Sequence, residues 1–553
     1  MGGILMGGQC FPFVAHVLRG KWFAFYAAMM VMVGSGTSYI YNIYNQAIQD
    51  NLGYDDAGMS KIAYYKVVGT WLAIFNGLIV ELIPAWFGLF LAATMNFGGY
   101  FMTWLSVTRR IPSPEVWQIC LYLAVATNAP NFSGTIAIVN SVHNFPMNRG
   151  VIVGLLKGLV GLSGAIMAEL YHGIYGNDAK GLILLCALLP TSISILSMFT
   201  IRNIVKIGRQ PNELKAFLNI FYLTILLALF LMVMVLLEKY LIDLAQVAAH
   251  TKSAIAITVI ALLLLPLIFV IKEEATFWKR VTIEKMPQVL ISPTDSSSIQ
   301  PKEYFFANIF TNRPERGEDH TILQAILSAD MFYILLVTLC GYGPALTFIE
   351  QLRPIGQALE YHERPIQSIV TLTTIWNYYG RVYSGFVSEL LLTKWKLSRS
   401  IMISVILLLQ GSGMLLIAFP KIPGTYYVAS VIIGFSFGAQ VSVNLSMTSE
   451  LFGLKHFATF LNFIQALTPL WIYLMNTKLT KVLYARAAAN EIPPEIDPST
   501  LKDLTCTGHH CFKVSFSIFA AMAFIGALVS LQFARRTREF YQGDIYKRFR
   551  VAS

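Results

Sequence analysis

Apolar blocks of about 20 residues, the length a helix needs to cross a hydrocarbon layer, recur along the chain from Trp22 to Phe533. One buried core cannot absorb them all. Only 13% of the 553 residues are charged, against about 25% in soluble domains, which is too few to coat a soluble surface of this size. The mean hydropathy is +0.59. The blocks do not alternate polar with apolar residues as a membrane barrel does. Each is therefore predicted to be a helix, which satisfies its own backbone hydrogen bonds in lipid. The chain predicts fourteen spans: six within 22–202, a pair within 214–271, and six within 322–534. No cleavable leader pattern precedes the first block, which is read as a retained span. Met6 stands where Met1-Gly2 acylation expects Ser or Thr.

Fourteen spans return both termini to one side. Lys and Arg are nearly twice as numerous in the segments on that side as on the other. They are led by Arg202, Lys206 and Arg209 and by Arg535, Arg536, Arg538, Lys547, Arg548 and Arg550 of the tail. The positive-inside rule then predicts a cytosolic N-terminus (1–21) and a basic cytosolic tail (535–553). The net charge of +11 is assigned to orientation and to attraction by anionic lipid, not to nucleic acid. Segment 272–321 is the one long polar stretch, with Ser292-Pro293 and Ser296 to Ser298. It is expected to be a cytosolic linker open to phosphorylation. Cys506 and Cys511 fall in an exterior loop and are expected to pair, stapling a connection of about 33 residues. Cys120, Cys186 and Cys340 act as small hydrophobes. The sequons at Asn131 and Asn444 lie inside spans and are expected to stay unmodified.

An internal repeat organises the spans. Gly34-x-Gly36 recurs as Gly341-x-Gly343, and Leu52-x-Tyr54 as Leu359-x-Tyr361, each 307 residues on. Gly77-x-x-x-Glu81 recurs as Gly385-x-x-x-Glu389, 308 residues on. Landmarks in one order at a near-constant offset predict two parallel six-helix halves, the major facilitator arrangement. The inserted pair leaves and returns on one side, so the core topology is kept.

The stretch Asn144-Phe-Pro-Met-Asn-Arg-Gly through Lys157-Gly, then Gly161-Leu-Ser-Gly164, resembles the plant nodulin-like family. So do Ile375-Trp-Asn-Tyr-Tyr-Gly-Arg381 with Ser388-Glu389, Gly438-Ala-Gln440, Ser449-Glu-Leu-Phe-Gly-Leu-Lys-His456 and Cys506-Thr-Gly-His-His-Cys511. The likeness covers nearly the whole chain. It is similar to the nuclear-fusion-defective branch, which resembles oxalate/formate-type carboxylate antiporters. That implies a major facilitator fold and a multi-pass membrane location, and no particular substrate. One departure is that Val67 follows Lys66, where family members often carry an acid.

Charge inside a membrane is costly and marks candidate function. Arg381 sits near the middle of the second C-half span, Lys157 nine residues into the fifth span, and Lys66 in the second. The acids Glu81, Glu169 and Glu389 all lie near span ends. A cationic interior suits an anion, and the planar fork of Arg matches a carboxylate. Alternatively, Lys66 snorkels to the surface, and Lys157 and Arg381 bond carbonyls to lock the halves together. Polar stripes at helical spacing add Ser35, Ser38 or Tyr39, and Asn42; Asn128, Asn131 and Thr135 beside Pro130; Tyr342; and Ser436, Gln440 and Asn444. Each stripe alone is equally an interhelical contact. Gly77, Glu81, Gly385 and Glu389 are expected to form a cytosolic gate, resting mainly on the C half, where Lys394, Lys396 and Arg399 follow. The glycines of the fifth span, from Gly150 to Gly164, are assigned to packing.

The predicted function is transport of a small solute by alternating access, an organic anion by exchange or uniport. A receptor or scaffold that has lost transport and a carrier of a neutral solute are the competing readings. No enzymatic constellation, cofactor or metal site is expected; His509 and His510 beside Cys511 are the weak metal candidate. A monomer in the plasma membrane or an endomembrane is expected.

Overall fold

The computed structural model describes residues 10–38, 40–176, 178–204, 213–240, 249–284, 314–420, 424–490 and 506–546. Tyr39 and the serines of the expected linker lie outside these, and among the described residues there is no strand.

In the first half, α1 (Cys10–Arg19) meets α2 (Lys21–Gly34) at a bend of 56°. The first span is not one rod. It breaks at a 3-10 turn over Ser35–Ser38 and resumes as α3 (Tyr41–Leu52). The break follows from packing: a Cβ on Gly36 would lie 2.5 Å from the Ser163 backbone, so glycine permits a close approach there. The second span is also divided, into α4 (Asp56–Trp71) and α5 (Ala73–Leu82), and α6 (Ala85–Val107), α7 (Val116–Asn144), α8 (Arg149–Tyr175) and α9 (Ala179–Ser197) complete the bundle. The inserted pair is α10 (Glu213–Tyr240) and α11 (Ala249–Glu284).

The second half begins with α12 (Ile322–Ile326), α13 (Ala329–Glu350) and α14 (Leu352–Ala358). It continues with α15 (Glu363–Trp395), α16 (Arg399–Ala418) and α17 (Thr425–Phe452). Its fifth span is built from α18 (Phe457–Ala466), α19 (Thr468–Ile472), a π-helical stretch over Tyr473–Thr480, and α20 (Lys481–Ala489). The last span is α21 (His510–Arg536), followed by α22 (Arg538–Gln542). Side-chain caps fix several starts: Asp55 accepts from Gly58 N–H at 2.8 Å, and Ser328 from Met331 N–H at 3.0 Å.

Among the described residues, ten helices are long and apolar enough to cross a membrane, and eleven if the bent pair at the N-terminus counts as one span. The expected fourteen further requires α6, α7 and α15. These are 23, 29 and 33 residues long, sufficient at 1.5 Å per residue; α7 and α15 are richer in polar residues, and α6 in glycine, tyrosine and tryptophan. Two predicted boundaries move. α11 runs 36 residues to Glu284, well into the stretch expected to be linker. The span that begins at Phe457, expected from its apolar run to close near 478, continues to Ala489.

Cys10 and Tyr546, together with the turns near Pro84, Phe145, Leu397 and Leu454, share one face of the molecule, here the terminal face. There Lys21 pairs with Glu213 at 2.5 Å, and Glu213 accepts from Asn148 at 3.1 Å. Buried Glu274 of α11 accepts the Trp22 N–H at 3.0 Å, capping α2. The inserted pair is thereby tied to the N half, while Phe221 of α10 packs on Tyr383 and Phe386 of α15. It therefore spans the seam between the halves.

Candidate functional site

The halves meet along α8 and α15 and along α5 and α18, and glycine decides how closely. A Cβ on Gly385 would lie 2.5 Å from the Gly150 carbonyl oxygen, and one on Gly154 would lie 2.8 Å from that of Arg381. On the other pair, a Cβ on Gly77 would lie 2.7 Å from the Ala458 carbonyl oxygen. The repeat glycines Gly77 and Gly385 thus occupy equivalent places in the two crossings.

The glutamates four residues on are equivalent too. Glu389 accepts the Gly150 N–H at 3.0 Å, in the first turn of α8. Glu81 accepts the Thr459 N–H at 2.9 Å and its hydroxyl at 2.6 Å, in the first turn of α18. Each carboxylate therefore caps a helix of the opposite half, where the helix dipole favours negative charge. Glu81 also pairs with His456 at 2.6 Å. The expectation that these contacts rest mainly on the C half is corrected: the missing N-half base is supplied across the seam by His456. Of the C-half cations, Arg399 takes part, while Lys394 and Lys396 are exposed.

Arg399, fully buried, contacts Glu389 at 2.7 Å, Glu450 at 2.6 Å and the Ser388 hydroxyl at 2.5 Å. Arg149 joins this cluster from the N half, donating to the Ser449 carbonyl at 2.6 Å. Two arginines and two glutamates leave it balanced, as buried charge requires. Glu450 was missed in the sequence; its place near the end of an apolar helix, like Glu389, was the available signal.

A second layer lies deeper. Lys157 Nζ donates to Gln465 of α18 at 2.8 Å. Arg381 donates to Asn377 at 2.8 Å and to the Lys157 carbonyl at 2.7 Å. Thr135 and Asn462 bond across the seam at 2.9 and 3.2 Å. The two deep cations thus come together, one from each half, with the bonds described ending on neutral oxygens. Gln465, Asn377 and Asn462 were not singled out in the sequence, since a lone amide on an apolar helix carries no spacing signal.

The remaining candidates scatter. Lys66 lies over the Tyr41 ring at 4.2 Å and is half-buried. Asn128 is buried against Asn76 at 2.8 Å, inside the N half, and Asn131 is half-buried. Tyr342 donates to the Gln440 carbonyl at 3.3 Å and accepts from Asn444 at 3.4 Å. Gln440, bonded to Gln410, and Asn444 are both fully buried. These three knit α13 to α17 within the C half. Asn42 lies on α3. Cys506 and Cys511 form a disulfide with Cα atoms 5.9 Å apart and only 5 positions apart in sequence. It closes a tight turn and does not staple the 33-residue connection expected. His510 Nε2 is 3.9 Å from the Cys506 sulfur, but both sulfurs are spent on the bridge and neither is a free thiolate for a metal.

Two helical halves with facing cations and mirrored caps have the major facilitator fold. In keeping with this, the chain matches the xylose–proton symporter XylE, solved with a bromodeoxyglucose bound, at a TM-score of 0.53. That match has 9% identity and covers 93% of this chain and 96% of that one. A double-tryptophan mutant of XylE scores 0.51 at 10% identity, covering 94% and 98%. These likenesses are of fold.

Residues 21–271 match the family described as Nodulin-like, and residues 324–543 match the one described as NFD4, C-terminal domain. It is 22% identical over 541 residues to Protein NUCLEAR FUSION DEFECTIVE 4 of Arabidopsis thaliana, covering 94% of this chain and 89% of that protein. An uncharacterized membrane protein of Saccharomyces cerevisiae is 21% identical over 473 residues, covering 79% and 82%.

Proposed function

We propose that this protein carries a small organic anion across a membrane by alternating access, as an exchanger or uniporter, with the terminal face in the cytosol. The observation that carries this is the meeting of Lys157 and Arg381 at one level between the halves. A carboxylate arriving there can take over bonds now made to the neutral Gln465 and Asn377 amides, pairing each cationic donor with a charged acceptor and offering the Arg381 fork a bidentate partner. Lys66, farther along the N half, adds a third positive charge. Glu81 and Glu389 with Gly77 and Gly385 act as the gate, and their contacts across the seam at the terminal face support that role. The cytosolic assignment rests on the Lys and Arg excess of that face.

Counterflow uptake of labelled oxalate, formate, malate and citrate into liposomes holding the purified protein tests this. Uptake of at least one carboxylate is expected, falling at least tenfold in Arg381→Gln and in Lys157→Gln, as loss of a charged hydrogen bond of about 1.5–3 kcal/mol implies. Folded protein that moves none of them sinks the anion reading. A second reading is favoured by the Arg381 bond to the Lys157 carbonyl, which by itself locks the halves: the cations are then structural and the solute neutral. Transport of a neutral solute that survives Arg381→Gln would establish it.

A further inference from the structure

We propose that the segment Thr537–Tyr546 is a latch that holds the two halves together at the terminal face, with Tyr541 and Tyr546 as its catches. This does not depend on which solute is carried.

The root of the segment is fixed to the C half. Arg536 and Arg316 both pair with Asp330, at 2.8 and 2.7 Å, and the hydroxyls of Thr537 and Ser398 lie 3.3 Å apart. From there α22 turns under the bundle. A basic tail would ordinarily lie in solvent or on the lipid surface, yet Tyr541 is 1% exposed and Tyr546 4%. With Leu392 of α15 they form an apolar cluster against which Met147, in the turn before α8, packs. The cluster therefore draws on both halves at once.

The phenols complete the charge cluster. Tyr546 donates to Glu389 Oε1 at 2.9 Å and lies 3.2 Å from Glu450 Oε1, and Tyr541 donates to Glu450 Oε2 at 3.1 Å. Burial, and then the adjacent carboxylates, push both phenols well above the ordinary tyrosine pKa, so they remain donors. Glu389 Oε2 is already shared between Arg399 and the Gly150 N–H. The Tyr546 bond goes to its other oxygen, so it aligns the carboxylate that caps the opposite half. A contact shifts a two-state equilibrium only if the states differ in it. Met147 and Gly150 belong to the N half, so their contacts with the tail and with Glu389 exist only while this face is closed.

The test labels Phe199→Cys, beyond α9, and Lys394→Cys, near the end of α15, with spin probes in a Cys10→Ser background; both positions are exposed. Their distance distribution reports the separation of the halves at the terminal face. In Tyr541→Phe/Tyr546→Phe, where Glu389 loses the bond that aligns it on the Gly150 N–H across the seam, the long-distance fraction is expected to rise about fivefold or more relative to the short one, as loss of a hydrogen bond to a charged group implies. A chain ending at Gly543 should show the same rise. If the double variant does not fold, Tyr546→Phe alone decides. Folded variants whose distribution matches the parent overturn the latch.

Discussion

Arg399 illustrates how a single side chain commits its surroundings. It is fully buried and holds two carboxylates and a serine hydroxyl. Removing one partner from such a cluster leaves charge without compensation, and breaking a buried pair in this way costs about 3–5 kcal/mol. Arg399→Met is therefore expected to lower the melting temperature of the purified protein sharply in detergent. Arg399→Met/Glu450→Gln should recover part of the loss, because one stranded carboxylate becomes neutral. A double variant no more stable than the single one would show that the pair is not the reason for the loss. Lys157 behaves differently: its amine ends on the Gln465 amide, a partner that a ligand can replace.

At the scale of helices, the crossings of α8 with α15 and of α5 with α18 depend on the absence of a Cβ. Gly385→Val is expected to force those helices apart, with an overpacking cost of about 1–3 kcal/mol. The spin-label distance across the terminal face should lengthen, and Gly77→Val should act in the same direction on the other crossing. An unchanged distance in both would mean that the crossings do not set the closed state. This layer was legible in the sequence. Gly77-x-x-x-Glu81 and Gly385-x-x-x-Glu389 stood out because a repeat shows itself without knowledge of contacts. The partners were not legible. His456, Thr459 and Gly150 lie hundreds of residues from the acids they contact, and nothing local marks them. The polar stripes misled for a related reason. Gln440 and Asn444 share a helix face, but periodicity cannot say whether that face looks at a solute path or at a neighbouring helix, and here it looks at α13. Nor could the apolar pattern foresee the 3-10 turn at Ser35–Ser38 or the π-helical stretch at Tyr473–Thr480, since hydropathy taken over a whole span does not report backbone geometry.

For the whole molecule, the excess of Lys and Arg on the terminal face predicts its side of the membrane. An epitope placed after Ser553 should be reached by antibody only after cells are permeabilised, and one inserted near Thr507 should be reached without that treatment. The reverse pattern would invert the assignment. The position of Tyr541 and Tyr546 also has a consequence in time. They follow Glu389 and Glu450 in the chain by about a hundred residues or more, yet they supply donors to those acids. Until Tyr541 and Tyr546 have been made, the nascent chain carries acids at that face with their hydrogen bonding incomplete, so a chain cut short before them is chemically distinguishable from one that contains them. The charge cluster is therefore completed only after the helix His510–Arg536 has been synthesised, a mark that cellular quality control can inspect.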